Sequence, residues 1–177
     1  MKNYSNKLYN QKIANLEQLD NYTKNLVDNI KLGDILLLMG PLGAGKTTFV
    51  KYLAKNLGIK DIIISPTFTI ARNYKMPSGN SNDKYFIHID AYRLGLFNNY
   101  SNNKKDYQKS IYDSLELLDI PSNYKNSIIV IEWGEIVKEY LTNFLADNNI
   151  IYVNINRTRG SQADETRTIT INKRLAE

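Results

Sequence analysis

The chain has 177 residues, of which 42% are hydrophobic, and it carries a formal net charge of +5. Residues 1–177 therefore suit a single domain with a buried core, and the absence of cysteine excludes disulfides and thiolate metal sites. No stretch is apolar for long enough to span a bilayer and the polar N-terminus lacks a signal-peptide core, so we expect a cytoplasmic protein without membrane association.

Hydrophobic periodicity predicts alternating helices and strands after a polar, flexible N-terminus over residues 1–13. The predicted elements run in this order: a helix over 16–30, a strand over 34–39, a helix over 47–57, short β-prone pieces over 62–64 and 68–71, strands over 85–89 and 128–131, a helix over 135–145, and strands over 149–156 and 166–172. This alternation predicts a three-layer α/β domain, and the short strand-rich segments predict some antiparallel pairing in a mixed, mainly parallel central sheet. Residues 76–83 read as a polar turn, and residues 97–110 read as an inserted polar loop.

A phosphate-binding loop follows the first apolar strand. Residues 40–47 match the pattern GxxxxGK[ST], in which backbone N–H groups surround a phosphate chain. Lys46 is expected to reach the β- and γ-phosphates, and the hydroxyl of Thr47 is a candidate Mg²⁺ ligand. The predicted nucleotide-binding residues are Gly40, Leu42, Gly43, Ala44, Gly45, Lys46, Thr47 and Thr48. The motif and its strand–helix context together indicate a P-loop NTPase.

Two acidic residues directly follow apolar strands. Asp90 directly follows the predicted strand YFIHI, and Glu132 directly follows the predicted strand IIVI. Open α/β sheets bind ligands at the carboxyl ends of their strands, so both carboxylates are expected to converge on the γ-phosphate. One would hold Mg²⁺ and the other would orient or deprotonate water, and the spacing leaves open which does which. Lys46, Asp90 and Glu132 are the predicted catalytic residues.

Other polar residues support several interpretations. The hydroxyls of Ser65, Thr67 and Thr69 on a proline-stiffened segment are candidates for a switch near the γ-phosphate, and capping hydroxyls in an ordinary turn explain them equally well. His88 and Trp133 are interpreted as core residues. Five arginines are candidate phosphate clamps, and their spacing selects none: Arg72, Arg93, Arg157, Arg159 and Arg167. The sequence NKKD at 103–106 lies in a low-complexity loop and not after an apolar strand, so we expect adenine rather than guanine.

Four segments in order resemble one protein family: GPLGAGKTTF, SPTFTI, HIDAYRL and IEWGE. The chain is similar to the TsaE (YjeE) family, the ATPase subunit of bacterial tRNA threonylcarbamoyladenosine biosynthesis, over roughly residues 14–172. The resemblance implies Mg²⁺-dependent binding and slow hydrolysis of ATP to ADP, with Thr47 and Glu132 as metal ligands, Asp90 needed for hydrolysis and residues 65–69 as a switch.

The same resemblance implies two partners, a threonylcarbamoyl-transferase subunit and its paralogous scaffold subunit, acting on adenosine 37 of tRNAs that read ANN codons. Contact with tRNA is expected to be indirect, because the basic residues are scattered. The chain departs from the family pattern at the 97–110 insertion and at Asp119, where family members commonly carry glycine. A small-molecule kinase and a non-catalytic nucleotide-gated module are the alternative functions.

Overall fold

The computed structural model describes residues 9–77, 83–96, 109, 113–114, 124–144, 149–159 and 165–173. Most of the predicted 97–110 insertion lies outside these ranges, as does Asp119. Within them the strands are β1 Tyr9–Ile13, β2 Ile35–Met39, β3 Ala71–Lys75, β4 Tyr85–Asp90, β5 Ser127–Glu132, β6 Ile150–Arg159 and β7 Glu165–Lys173. The helices are α1 Leu16–Val27, α2 Lys46–Asn56, α3 Tyr92–Leu96 and α4 Gly134–Phe144, and a 3₁₀ turn spans Tyr124–Asn126.

The described strands form one seven-stranded sheet in the order β1-β7-β6-β2-β5-β4-β3. The four central strands β6, β2, β5 and β4 are mutually parallel, and the outer strands pair antiparallel. Three of the six pairings are parallel, so the predicted mixed sheet is confirmed, while its parallel character belongs to the centre only. The central strands are mainly apolar because both of their faces are buried over most of their length, and β6 leaves the core from Asn156 onward.

Alternate residues of β2 enter two cores on opposite faces of the sheet. Leu36 and Leu38 pack in a cluster with apolar residues of α1 and α2. Ile35 and Leu37 pack in a second cluster with residues of α3 and α4. Helices cover both faces of the sheet. A ligand therefore has access at the carboxyl ends of the parallel strands, where open α/β sheets bind their ligands. No helix among the described residues is long and apolar enough to cross a membrane.

Two predictions about local structure are wrong. Residues 9–13 of the supposedly flexible N-terminus form β1, because they pair in antiparallel register with β7 and bury Ile13. Residues 62–64 do not form a strand, and of the predicted piece 68–71 only Ala71 is in a strand, where it begins β3. The left-handed Ile70 (φ 66°) precedes that strand, and a left-handed residue cannot continue an extended chain.

Candidate nucleotide-binding site

The glycine-rich loop connects β2 to the N-terminus of α2. Gly40 has φ 139°, and a side chain there would overlap the carbonyl of Ile155 on β6, so only glycine fits. Helix α2 starts at Lys46 after the left-handed Gly45, and no side chain caps it. Its first N–H groups therefore face the loop interior, where an anionic ligand would complement the helix dipole.

Lys46 lies folded against its own loop. Its Nζ donates to the carbonyls of Gly40 (2.7 Å) and Pro41 (3.0 Å), and it sits 3.7 Å from the centroid of the Trp133 ring. Burial lowers the pKa of Lys46 below its ordinary value of 10.5, and the charges of Glu132, Glu135 and Asp90 partly oppose that shift. The ammonium is therefore a desolvated cation that an incoming phosphate would stabilise.

Trp133 is held over Lys46 by an unusual backbone. It has φ 59°, which is sterically costly for a bulky side chain. The next residue, Gly134, lies against β2 so closely that an added Cβ would be 2.7 Å from the Cβ of Leu37. The tight approach of Gly134 fixes the turn between β5 and α4, and the turn places the indole ring at the site.

The two predicted acids have different partners. Glu132 accepts a hydrogen bond from the Thr47 hydroxyl at Oε2 (2.9 Å), and its Oε1 is 2.8 Å from Nε2 of His88. Asp90 accepts at Oδ2 from the hydroxyls of Thr67 (2.6 Å) and Ser65 (3.2 Å). The structure thus links Glu132 to the phosphate-binding loop and Asp90 to the predicted switch segment.

The carboxylates themselves lie side by side. Asp90 and Glu132 are register partners on adjacent parallel strands, and both are buried. Like charges in neighbouring positions repel, so a cation between these carboxylates and the ligand would lower the electrostatic free energy of the site. No cluster of three or more acidic, histidine or cysteine ligands occurs in the described parts of the chain. A hydroxyl and one or two carboxylates suit Mg²⁺, which takes its remaining ligands from water and phosphate.

A cleft of about 550 Å³ joins these groups. The predicted residues that line it are Leu42, Gly43, Gly45, Lys46, Thr47, Thr48, Ser65, Thr67, Asp90 and Glu132. Ala44 is buried beneath the loop, and Gly40 contacts Lys46 through its carbonyl. Thr69 is exposed and is not among the residues that line the cleft, so this predicted switch residue is not brought to the site.

Sequence reasoning left four side chains out of this site. Tyr92, Trp133 and Arg167 also line the cleft, and His88 contacts Glu132. The motif HIDAYRL contains His88 and Tyr92, but spacing alone did not separate them from core or surface residues. Arg167 was one of five equivalent candidates, because only the pairing of β7 beside β6 brings it near the loop.

A second cavity of about 330 Å³ lies behind the loop. It is mainly apolar and is lined by residues of β1, α1, α2 and the two C-terminal strands, including Ile13, Leu16, Phe49 and Ile169. Gly45, Thr48 and Arg167 line both this cavity and the cleft. The two spaces therefore adjoin at the start of α2.

The strand–loop–helix arrangement, with its lysine and facing acids, defines the class of P-loop nucleotide-binding proteins. The family described as threonylcarbamoyl adenosine biosynthesis protein TsaE matches residues 13–169. The chain therefore belongs to the TsaE family, which confirms the resemblance drawn from the four sequence segments.

Individual relatives agree with this assignment. The tRNA threonylcarbamoyladenosine biosynthesis protein TsaE of Streptomyces coelicolor is 36% identical over 150 residues, covering 84% of this chain and 85% of the relative. The protein of the same name from Rickettsia prowazekii is 33% identical over 142 residues, covering 80% and 85%. The crystal structure of Bacillus subtilis YdiB is similar with a TM-score of 0.61 and 25% identity, covering 96% of this chain and 88% of that one.

Proposed function

We propose that this protein is a Mg²⁺-dependent P-loop ATPase of tRNA threonylcarbamoyladenosine biosynthesis. It would bind ATP in the cleft and hydrolyse it slowly to ADP and phosphate. The observation that carries the proposal is the convergence of Lys46, the Thr47–Glu132 pair and Asp90 on one cleft at the carboxyl edge of a sheet. The arrangement, with the two cores on opposite faces of the sheet, supports the three-layer fold of P-loop NTPases.

Phosphate binding would begin with a change of partner at Lys46. Its Nζ now donates to two loop carbonyls, and those hydrogen bonds would be exchanged for bonds to the β- and γ-phosphate oxygens. The cost of this exchange is small, because a charge-assisted bond to phosphate is stronger than one to a carbonyl. Since Lys46 lies over Trp133, we expect indole fluorescence to report nucleotide binding.

The hydroxyl of Thr47 and the carboxylate of Glu132 would hold Mg²⁺, which neutralises charge on the phosphates when it is bound. Asp90 would orient the attacking water, because one of its oxygens is already shared with the switch hydroxyls. Catalysis would come mainly from positioning and from electrostatic stabilisation by the loop N–H groups and Lys46. The assignment of separate roles to the two acids rests on their separate hydrogen-bond partners.

The base would occupy the second cavity. Its apolar lining and its junction with the cleft at Gly45 and Thr48 suit a flat aromatic ring whose phosphates continue into the loop. We propose adenine rather than guanine, because the sequence NKKD at 103–106 is preceded by a low-complexity polar stretch and not by an apolar strand sequence. Arg167 borders both spaces and is the arginine that we propose to contact the nucleotide.

Hydrolysis would matter through the switch segment, residues 65–69. The hydroxyls of Ser65 and Thr67 donate to Asp90, while Phe68, which directly follows Thr67, is 82% exposed. Loss of the γ-phosphate would alter the Asp90 contacts and therefore the presentation of Phe68. We propose that the transferase subunit and its scaffold read this difference, with tRNA contacted indirectly, and that the protein works in the cytoplasm with them.

The proposal is tested by the amount of threonylcarbamoyladenosine in tRNA from cells depleted of the protein. Wild type and Lys51→Ala, which alters an exposed lysine of the same helix, are expected to restore the modification. Lys46→Ala is expected to fail. Unchanged modification on depletion would refute the role in tRNA, and phosphate transfer that requires an added acceptor would indicate a kinase instead.

A further inference from the structure

The imidazole of His88 is completely buried at the inner end of the site. Its Nε2 lies 2.8 Å from Oε1 of Glu132, whereas its Nδ1 has no hydrogen-bond partner among the described residues. A proton is therefore best placed on Nε2, where it is donated to the carboxylate. The sequence predicts a packed or hydrogen-bonded core histidine, and the structure confirms a buried, hydrogen-bonded one whose partner is an acid of the site.

The carboxylate of Glu132 is held at both oxygens by this arrangement. Oε1 faces His88 and Oε2 accepts the hydroxyl of Thr47. A glutamate has a broad, weakly restricted final torsion, so two directional contacts are needed to fix the plane of its carboxylate. With only 3% of Glu132 exposed, water does not replace a missing partner at low cost.

His88 is also anchored on a rigid element. It lies opposite Val130 in the register of β4 and β5, so it meets Glu132 diagonally from the adjacent parallel strand. Both strands are central in the sheet and are buried along their length. The contacts His88–Glu132–Thr47 therefore connect β4, β5 and the first turn of α2 through side chains that have little freedom to move.

We propose that His88 is a positioning residue that fixes the carboxylate of Glu132 for the metal it would share with Thr47. The inference rests on the proposed function of the site. Hydrogen-bonded partners behind metal ligands typically contribute about 10- to 100-fold in metal affinity or activity. Loss of the Nε2 donor should therefore weaken the metal-dependent part of ATP binding and leave the metal-independent part intact.

The test compares His88→Met, which fills similar volume without a donor, with His88→Gln, whose amide nitrogen reaches the position of Nε2. Affinity for a non-hydrolysable ATP analogue is measured by calorimetry in EDTA and in Mg²⁺, with the full-length protein. Wild type should bind more tightly in Mg²⁺. His88→Met should lose about 10- to 100-fold of that gain, His88→Gln should retain most of it, and all three should agree in EDTA.

Thr23→Val is the control, because Thr23 is a buried, hydrogen-bonded residue of α1 away from the cleft. An unchanged Mg²⁺ gain in His88→Met would overturn the inference, and so would an equal loss in EDTA, which indicates a general packing role. If His88→Met does not fold, His88→Asn replaces it, since its amide reaches only the Nδ1 position. Wild type that gains nothing from Mg²⁺ would instead refute the proposed function, and the inference with it.

Discussion

Removing the hydrogen bond from the Thr67 hydroxyl to Asp90 is the most informative single perturbation of this site. At 2.6 Å it is the shorter of the two switch hydroxyl contacts to this buried carboxylate. Thr67→Val keeps nearly the same shape and removes the hydroxyl, which donates to Asp90 and also lies 2.7 Å from the hydroxyl of Ser65. The variant therefore separates the contact between switch and acid from the packing of the segment.

The size of the effect follows from the nature of the acceptor. Hydrogen bonds to charged groups contribute about 1.5–3 kcal/mol to stability. Because Ser65 and the backbone N–H of Tyr92 still donate to Asp90, we expect the lower half of that range, about 1.5–2 kcal/mol. For a chain of this size, such a loss corresponds to a fall in Tm of about 3–8 °C.

The assay is urea denaturation of the ligand-free protein, followed by ATP turnover under saturating nucleotide. Thr67→Val should lower the unfolding free energy without changing the urea dependence, and it should reduce turnover more than ATP affinity. Thr69→Val is the stability control, because that exposed side chain lies outside the cleft. Equal stability of the two valine variants would refute the reasoning about Asp90.

Three further outcomes follow from the same structure. Burial lowers the pKa of Lys46 in the folded protein below its ordinary value of 10.5. At alkaline pH between the folded-state pKa and 10.5, the unfolded chain therefore keeps a proton on this lysine that the folded chain has lost. Wild-type stability relative to Lys46→Met should then rise with pH by at most about 1.4 kcal/mol per unit, and a flat difference in urea titrations across that range would contradict the shift. Ile70→Gly should be at least as stable as Ile70→Ala in urea denaturation, since φ 66° favours glycine. A glycine variant that is less stable than the alanine variant would show that this backbone is not strained. Gly40→Ala should abolish ATP binding in calorimetry because its side chain would overlap the Ile155 carbonyl, and binding at wild-type affinity would show that the loop adapts.

Two non-glycine residues with a left-handed backbone, Ile70 and Trp133, flank the functional parts of the site. Ile70 directly follows the switch segment, and Trp133 directly follows Glu132. Left-handed conformations of bulky residues cost roughly 1–3 kcal/mol each and persist where the surroundings enforce them. Here the carbonyl of Ile70 accepts the N–H of Asp90, and Gly134 is pressed against Leu37. The surroundings thus fix both acids by contacts outside the phosphate-binding loop.

The sequence by itself determined the features that are local in the chain. The phosphate-binding loop, the apolar strands before Asp90 and Glu132, and the amphipathic helix after Lys46 each depend on neighbouring residues, so periodicity and motif spacing were sufficient to predict them. The α/β class followed from the same alternation of elements, and the mixed sheet followed from the short strand-rich segments. The family resemblance was available because it resides in four short segments.

The tertiary structure decided whatever depends on pairing across long stretches of chain. Residues 9–13 carry no strong strand pattern, and they become β1 because β7 offers an antiparallel edge. The His88–Glu132 contact joins residues 44 positions apart, and Arg167 reaches the loop only through the order of β7 and β6 beside β2. Strand order sets these distances, and strand order depends on the free energy of burying both faces of the whole sheet, which no single segment contains.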